Sequence, residues 1–194
     1  MKRLNICIDI DGTLTDPYFW LKEANNYFGT HLDSRDITKY DFSEALNVPY
    51  EEGQKFYDIF GETIHQNAKV RKNASEVVNT LYENHAIHFV SAREDKMKAV
   101  TEYWLSKYHF PMDSLTLIGS HDKVFTANAL NCDIFIEDGY ENALQLSREG
   151  YLIFLVNCAY NQGILPKNVF RVNSWDEIGN IIEGYTESDL NIAL

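Results

Sequence analysis

LNICIDIDGTLTD, from Leu4 to Asp16, is apolar and β-forming through Leu4, Ile6, Cys7, Ile8 and Ile10, then carries two aspartates around one isoleucine before Gly-Thr. A run of that kind is the signature of a buried strand. Asp9 and Asp11 are two positions apart, so on an extended chain their side chains project the same way. Two carboxylates on one side repel each other and lose water, a cost that a metal ion offsets most simply. Gly12 lets the backbone turn away just past the pair. Asp-Gly is also a common turn dipeptide. An apolar strand feeding straight into the aspartates argues against a plain surface turn.

Four further β-rich runs follow: Ala86 to Ser91, Ser114 to Gly119, Cys132 to Asp138 and Tyr151 to Asn157, with a short sixth candidate at Val169 to Val172. Helical patterns alternate with them over Ala74 to Glu83, Glu94 to Lys107, Asp122 to Leu130 and Glu141 to Arg148, the last stopped by Gly150. Ser174 and Glu177 form a capping box that opens a final helix to about Glu183, and ESDLNIAL after it has no strong pattern. Alternation of this kind predicts an α/β fold of right-handed βαβ units around a parallel sheet flanked by helices. Residues 16–74 interrupt it, being rich in aromatic and acidic residues with two helical stretches, YFWLKEANNYF and EEGQKFYDIFGETI, and no strand. They are expected to form a small helical cap inserted after the first strand. Residues 1–15 and 75–194 then make the core domain.

Composition narrows the function. The chain has 194 residues, 45% of them hydrophobic, with 11 Phe and 12 Tyr, which suits one globular core with a small insertion. The net charge is −12 and no basic run occurs, which argues against duplex nucleic acid or an anionic membrane as partner. A phosphorylated substrate would be repelled at long range, so the site itself must supply positive charge. Cys7, Cys132 and Cys158 lie in or beside apolar runs with no paired spacing, as expected of buried free thiols in a reducing, cytoplasmic compartment. No stretch approaches the ~20 apolar residues of a membrane span. Nothing in the sequence decides the oligomeric state, and a homo-oligomer stays open.

Parallel sheets bind ligands at the carboxyl ends of their strands. The predicted strands end in Asp9 and Asp11, in Ser91 with Ala92 and Arg93 beyond it, in Gly119-Ser120 with Lys123 close behind, and in Glu137-Asp138-Gly139. Alone, Lys123 reads as a solvated lysine, Ser91 as a helix cap and Glu137-Asp138 as turn residues. Their arrival at successive strand ends points to one shared site. Oxygen-only ligands indicate a hard divalent ion, Mg²⁺, with Asp9, Asp138 and the backbone carbonyl of Asp11 as ligands and Glu137 behind them. Asp9 could then attack phosphorus, and Asp11 could serve as acid and base. Ser91 and Lys123 would hold the phosphoryl oxygens, with Ser120 capping the helix that carries Lys123 in its first turn.

DIDGTLTD, FVSAR, GSHDK and IEDG resemble the four ordered motifs of the haloacid dehalogenase superfamily of phosphotransferases. The resemblance implies a Rossmann-like core, with Asp9 as nucleophile, Asp11 as acid/base, Ser91 and Lys123 as phosphate ligands and Asp138 as metal ligand. DITKYDFSEAL, IGSHDK and NCAYNQGILPKNVFRVNSWDEI are similar to the 5'(3')-deoxyribonucleotidase branch and its bacterial relatives. That branch often has Asp-Asp at motif four and proline after the motif-two hydroxyl, where this chain has Glu137-Asp138 and Ala92. The resemblance implies a helical cap whose aromatic residues stack on a nucleobase. Phe19 and Trp20 are the leading candidates, followed by Tyr40, Phe42, Phe56, Tyr57 and Phe60. Asn161 could reach the cap or the site.

The expected activity is therefore a Mg²⁺-dependent phosphomonoesterase acting on nucleoside monophosphates. Rivals are a sugar phosphate, phosphoglycolate or a polynucleotide 3'-phosphate end as substrate. A receiver-like phosphorylatable module is a different class, but it would need an aspartate at the end of the third strand, where Gly119-Ser120 stands. No phosphate-binding G-x-x-x-x-G-K-[ST] loop supports a kinase or ATPase.

Overall fold

The structure is a computed structural model and describes residues 3–184. Six strands, β1 (Asn5–Ile8), β2 (Ala86–Ser91), β3 (Ser114–Leu117), β4 (Ile134–Glu137), β5 (Leu152–Val156) and β6 (Val169–Val172), form one sheet in the order β3-β2-β1-β4-β5-β6. Every neighbouring pair is parallel. The short sixth run is thus a true edge strand. From β1 the chain steps outward through β2 and β3, then returns to the other side of β1 for β4, β5 and β6. The carboxyl ends of β1 and β4 therefore flank the point where strand order reverses, the ligand crevice of open α/β sheets. Ile8 pairs with Ile136, and the Asp9 amide still donates to the Ile136 carbonyl at 2.9 Å. That register brings Asp9 beside Glu137 and Asp138.

The four inner strands, β2, β1, β4 and β5, are buried on both faces, which explains their continuous rather than alternating apolar patterns. Ile6, Ile8, Phe89, Ile136 and Phe154 pack on one side with Trp104 and Trp175, while Cys7, Val90, Phe135 and Ile153 pack on the other with Leu146. All three cysteines are buried and free, and among the described residues no helix is long and apolar enough to cross a membrane.

The inserted segment contains α1 (Leu21–Phe28), α2 (Phe42–Leu46) and α3 (Tyr50–Asn67). These helices close around Ala24, Leu46, Phe56 and Ile64, with Phe56 stacked between Phe42 and Phe60 at 5.1 Å from each. An isolated antiparallel bridge between Thr15 and Val70 brings the two ends of the segment together. Trp104 also donates its indole N–H to the Ala68 carbonyl at 2.8 Å.

The remaining helices are α4 (Ala74–Tyr82), α5 (Lys98–Lys107), α6 (Val124–Ala129), α7 (Tyr140–Arg148) and α8 (Trp175–Gly184). Asp95–Met97 forms a 3₁₀ turn before α5, so the helix starts later than its apolar pattern suggests. At α8 the Glu177 amide donates to Ser174 Oγ at 3.1 Å, but the Glu177 carboxylate turns to the Asn173 amide at 2.7 Å, one residue earlier than a standard capping box. The terminal ESDLNIAL lies outside the described residues.

One expectation is corrected. Ser120 does not cap the helix that carries Lys123; it is exposed, α6 is only six residues long, and Lys123 is itself the residue preceding its first turn. Asp122 takes the Val124 amide instead, at 3.2 Å. The positive charge near the carboxylates therefore comes from the Lys123 side chain and not from a helix end.

Candidate active site

β1 delivers Asp9 and the following turn delivers Gly12 and Thr13. Gly12 has φ +79°, the left-handed region that glycine occupies freely. A Cβ there would also collide with the Asp138 carboxylate. The turn is held by the Gly12 amide donating to Thr15 Oγ1 at 2.9 Å and by Arg71 Nε donating to the Gly12 carbonyl at 2.7 Å.

Asp9, Glu137 and Asp138 each offer an oxygen within 4.8 Å of the others, and all three are at most 4% exposed. Lys123, 1% exposed, donates to Asp9 Oδ1 at 2.5 Å and to Glu137 Oε2 at 2.7 Å. The other Glu137 oxygen accepts from the Gly139 amide at 2.9 Å and from Asn142 Nδ2 at 3.2 Å. Glu137 is thus fully engaged by protein donors. Asp9 retains Oδ2, and Asp138 retains much of the capacity of Oδ1, whose contact with the Thr13 hydroxyl is 3.4 Å long.

The electrostatics of the cluster call for a cation. Burial pushes the Asp9 carboxyl up to about 7, with Glu137 and Asp11 adding to the rise and Lys123 opposing it. Burial, then Asp9 and Glu137, push Asp138 well above the usual carboxylate range. Burial would lower the Lys123 ammonium, but Asp9 and Glu137 outweigh it and hold it charged. One ammonium among three buried carboxylates leaves negative charge in excess. A hard divalent cation suits a set of oxygen donors with no His or Cys among them, so the residues present fit Mg²⁺.

Asp11 stands apart from that cluster. Arg93 grips both its oxygens, with Nη2 to Oδ1 at 2.6 Å and Nε to Oδ2 at 2.8 Å. Burial works to raise the Asp11 carboxyl, but Arg93 and then His65 outweigh it and hold it far below the usual range. Arg93 is oriented by Thr101 Oγ1 at 2.9 Å, which in turn donates to the Met97 carbonyl at 2.7 Å. From the insertion, His65 Nδ1 approaches Asp11 Oδ1 to 3.5 Å while its Nε2 pairs with the Tyr57 hydroxyl at 2.9 Å.

Ser91 is buried at the end of β2, where its Oγ accepts the Arg93 amide at 3.2 Å, and Ala92 between them is half-buried. Phe19 lies 5.5 Å from the His65 ring, which relates it to Asp11. Trp20 packs against Phe42 at 4.7 Å, and no ring contact joins it to the carboxylates among the described residues.

Sequence reasoning named Asn161 and Tyr40 only as candidates, and Tyr160 escapes it. Tyr160 donates its hydroxyl to Asp138 Oδ2, and Asn161 donates to the Asp138 carbonyl at 2.8 Å. Tyr40 sets its ring 5.7 Å from Tyr160 and 5.8 Å from His121, above the acidic cluster. Thr13, Thr101 and His65 also go unflagged. For these and Tyr160 the only signal is proximity in the fold, whereas the Asn161 loop follows a strand end and Tyr40 lies in the aromatic-rich insertion.

The sheet order and the insertion after β1 are those of the haloacid dehalogenase fold. Two solved structures share the fold: a haloacid dehalogenase-like family hydrolase from Streptococcus pneumoniae (TM-score 0.68, 11% identity, 92% of this chain and 98% of that one) and a HAD family hydrolase from Deinococcus radiodurans solved with bound phosphate and sodium (TM-score 0.67, 16% identity, 97% of each). Residues 3–186 match the family described as 5' nucleotidase, deoxy (pyrimidine), cytosolic type C protein, and the chain belongs to that family. A nucleotidase of Clostridium acetobutylicum is 44% identical over 183 residues, covering 94% of this chain and 95% of that protein. The chain is accordingly a phosphoric monoester hydrolase.

Proposed function

We propose that the protein dephosphorylates nucleoside monophosphates, deoxy forms included, through a phosphoryl-Asp9 intermediate with Mg²⁺ bound at Asp9 and Asp138. The observation that carries the reading is the buried Asp9-Glu137-Asp138 cluster at the sheet's reversal point with Lys123 inside it. Bound there with the Asp11 carbonyl as a further ligand, Mg²⁺ would neutralise phosphate charge. Glu137 holds Lys123 rather than the metal.

Asp9 Oδ2 attacks phosphorus; an Asp9 O–P bond forms as the ester P–O bond breaks. Released from the Arg93 fork as substrate binds, the Asp11 carboxylate takes up a proton from solvent and gives it to the departing nucleoside oxygen. A water then attacks the phosphoryl group, Asp11 takes one of its protons, and Asp9 leaves as carboxylate with inorganic phosphate released. The acid role requires Asp11 to leave the Arg93 fork, and the anionic substrate supplies a competing ligand for that guanidinium. Ser91, the Ala92 and Arg93 amides and Lys123 face the developing charge on the phosphoryl oxygens. Residues 16–74 act as the cap over this edge, with Phe19, Trp20 and Tyr40 as candidates to contact the nucleoside.

Phosphate release from a panel of 5' and 3' nucleoside monophosphates, ribo and deoxy, beside sugar phosphates and phosphoglycolate, tests the reading. A preference for nucleotides that vanishes in excess chelator is expected. Turnover in chelator overturns the metal assignment, and a preference for sugar phosphates overturns the substrate.

A further inference from the structure

Asp138 is met from two sides. The Thr13 hydroxyl reaches Oδ1 at 3.4 Å, while the Tyr160 hydroxyl makes a far closer bond to Oδ2. Tyr160 sits in a 3₁₀ turn (Ala159–Asn161) that Asn161 fixes from inside. Asn161 is fully buried and satisfied, with Nδ2 donating to the carbonyls of Asp138 at 2.8 Å and Val156 at 2.7 Å. Its Oδ1 accepts the Cys158 amide at 3.1 Å and Arg171 Nη1 at 2.6 Å. The Tyr160 ring is further bracketed by the rings of Tyr40 and Tyr18, at 5.7 and 6.2 Å. Gly12 completes the arrangement, since a Cβ there would come within 2.7 Å of the Tyr160 hydroxyl. The bond from Tyr160 to Oδ2 is therefore built in by three separate segments of the chain.

A carboxylate can ligate a hard cation through one oxygen or two. With Oδ2 committed to Tyr160, Asp138 presents Oδ1 alone. Mg²⁺ requires near-octahedral geometry with short bonds, which a one-oxygen carboxylate supplies, whereas the larger Ca²⁺ readily takes both oxygens. We propose that Tyr160 is a positioning residue that restricts Asp138 to one-oxygen ligation and thereby makes the site select Mg²⁺ over Ca²⁺. This rests on the reading of Asp9 and Asp138 as a metal site.

Mg²⁺ and Ca²⁺ are titrated separately into metal-free protein without substrate, wild type and Tyr160→Phe, with binding heat and the metal-induced rise in Tm as readouts. Loss of an outer hydrogen bond to a ligand typically weakens metal binding about 10- to 100-fold. Tyr160→Phe should weaken Mg²⁺ by that amount and Ca²⁺ by much less, so the Mg²⁺/Ca²⁺ affinity ratio falls at least about tenfold. If the variant is less stable, the rise in Tm above its own metal-free value still reports affinity. An unchanged ratio, with wild type binding both ions, overturns the role of Tyr160. Failure of wild type to bind either ion overturns the metal site itself, and this inference with it.

Discussion

Arg93 and Asp11, 82 residues apart in sequence, form a two-bond fork that holds the Asp11 carboxylate outside the Asp9-Glu137-Asp138 cluster. Charge-assisted pairs of this geometry are among the stronger hydrogen bonds in proteins. The fork keeps the Asp11 carboxylate charged beside the insertion, where His65 also faces it.

The pair has a pH signature. The folded-state carboxyl of Asp11 lies below its ordinary value, so it contributes stability that is complete above about pH 4 and is lost as pH falls toward the folded value. Arg93→Met should be less stable than wild type at pH 7, and the gap should narrow steadily as pH falls from about 4 toward 2. Urea midpoints across that range check it; a gap independent of pH would contradict the assignment.

Lys123 separates two buried carboxylates. Lys123→Met leaves Asp9 and Glu137 facing each other without a cation, and removing one partner of a buried ion pair costs on the order of 3–5 kcal/mol. A double variant, Lys123→Met with Glu137→Gln, should regain part of that stability while phosphatase activity stays lost. Equal stability of Lys123→Met and wild type in urea would be incompatible with the observed contacts.

Asp9 runs the other way from Asp11. Burial and its acidic neighbours raise its carboxyl to about 7, so in chelator its ionisation costs stability that grows as pH rises from about 4 and is fully expressed above about 7. Asp9→Asn removes that ionisation. In chelator the variant should gain on wild type in Tm at pH 8 relative to pH 5. Turnover should fall by at least about a thousandfold, because an amide cannot serve as the nucleophile. Substantial residual activity would exclude the phosphoryl-Asp9 intermediate.

The aromatic candidates separate by environment. Trp20 packs on Phe42 within the helical insertion, whereas Tyr40 is 43% exposed above the cluster. Stacking on a nucleobase contributes roughly 1–3 kcal/mol. Tyr40→Ala should therefore lower nucleotide kcat/KM about fivefold to a hundredfold while sparing p-nitrophenyl phosphate. Trp20→Ala should lower both substrates together with Tm if its packing role dominates. Assaying the two substrates on each preparation distinguishes stacking from packing.

The sequence alone determined the parallel α/β core, because a sheet buried on both faces writes itself as continuous apolar runs between amphipathic helices. It also determined which strand ends carry acid, hydroxyl and ammonium groups, since these stand immediately after the apolar runs. Asp9, Glu137, Asp138 and Lys123 were legible for that reason. What the tertiary structure decided was how those groups pair. Glu137 faces Lys123, Asp11 faces Arg93, and Tyr160 and Asn161 clamp Asp138 from a turn 22 or more residues further on. Long-range hydrogen bonds between polar residues leave no periodicity in a sequence. Helix ends are likewise set by local competition, as at α6, where Asp122 rather than Ser120 takes the Val124 amide. Periodicity reports what is buried, and only the folded chain reports which buried charges meet.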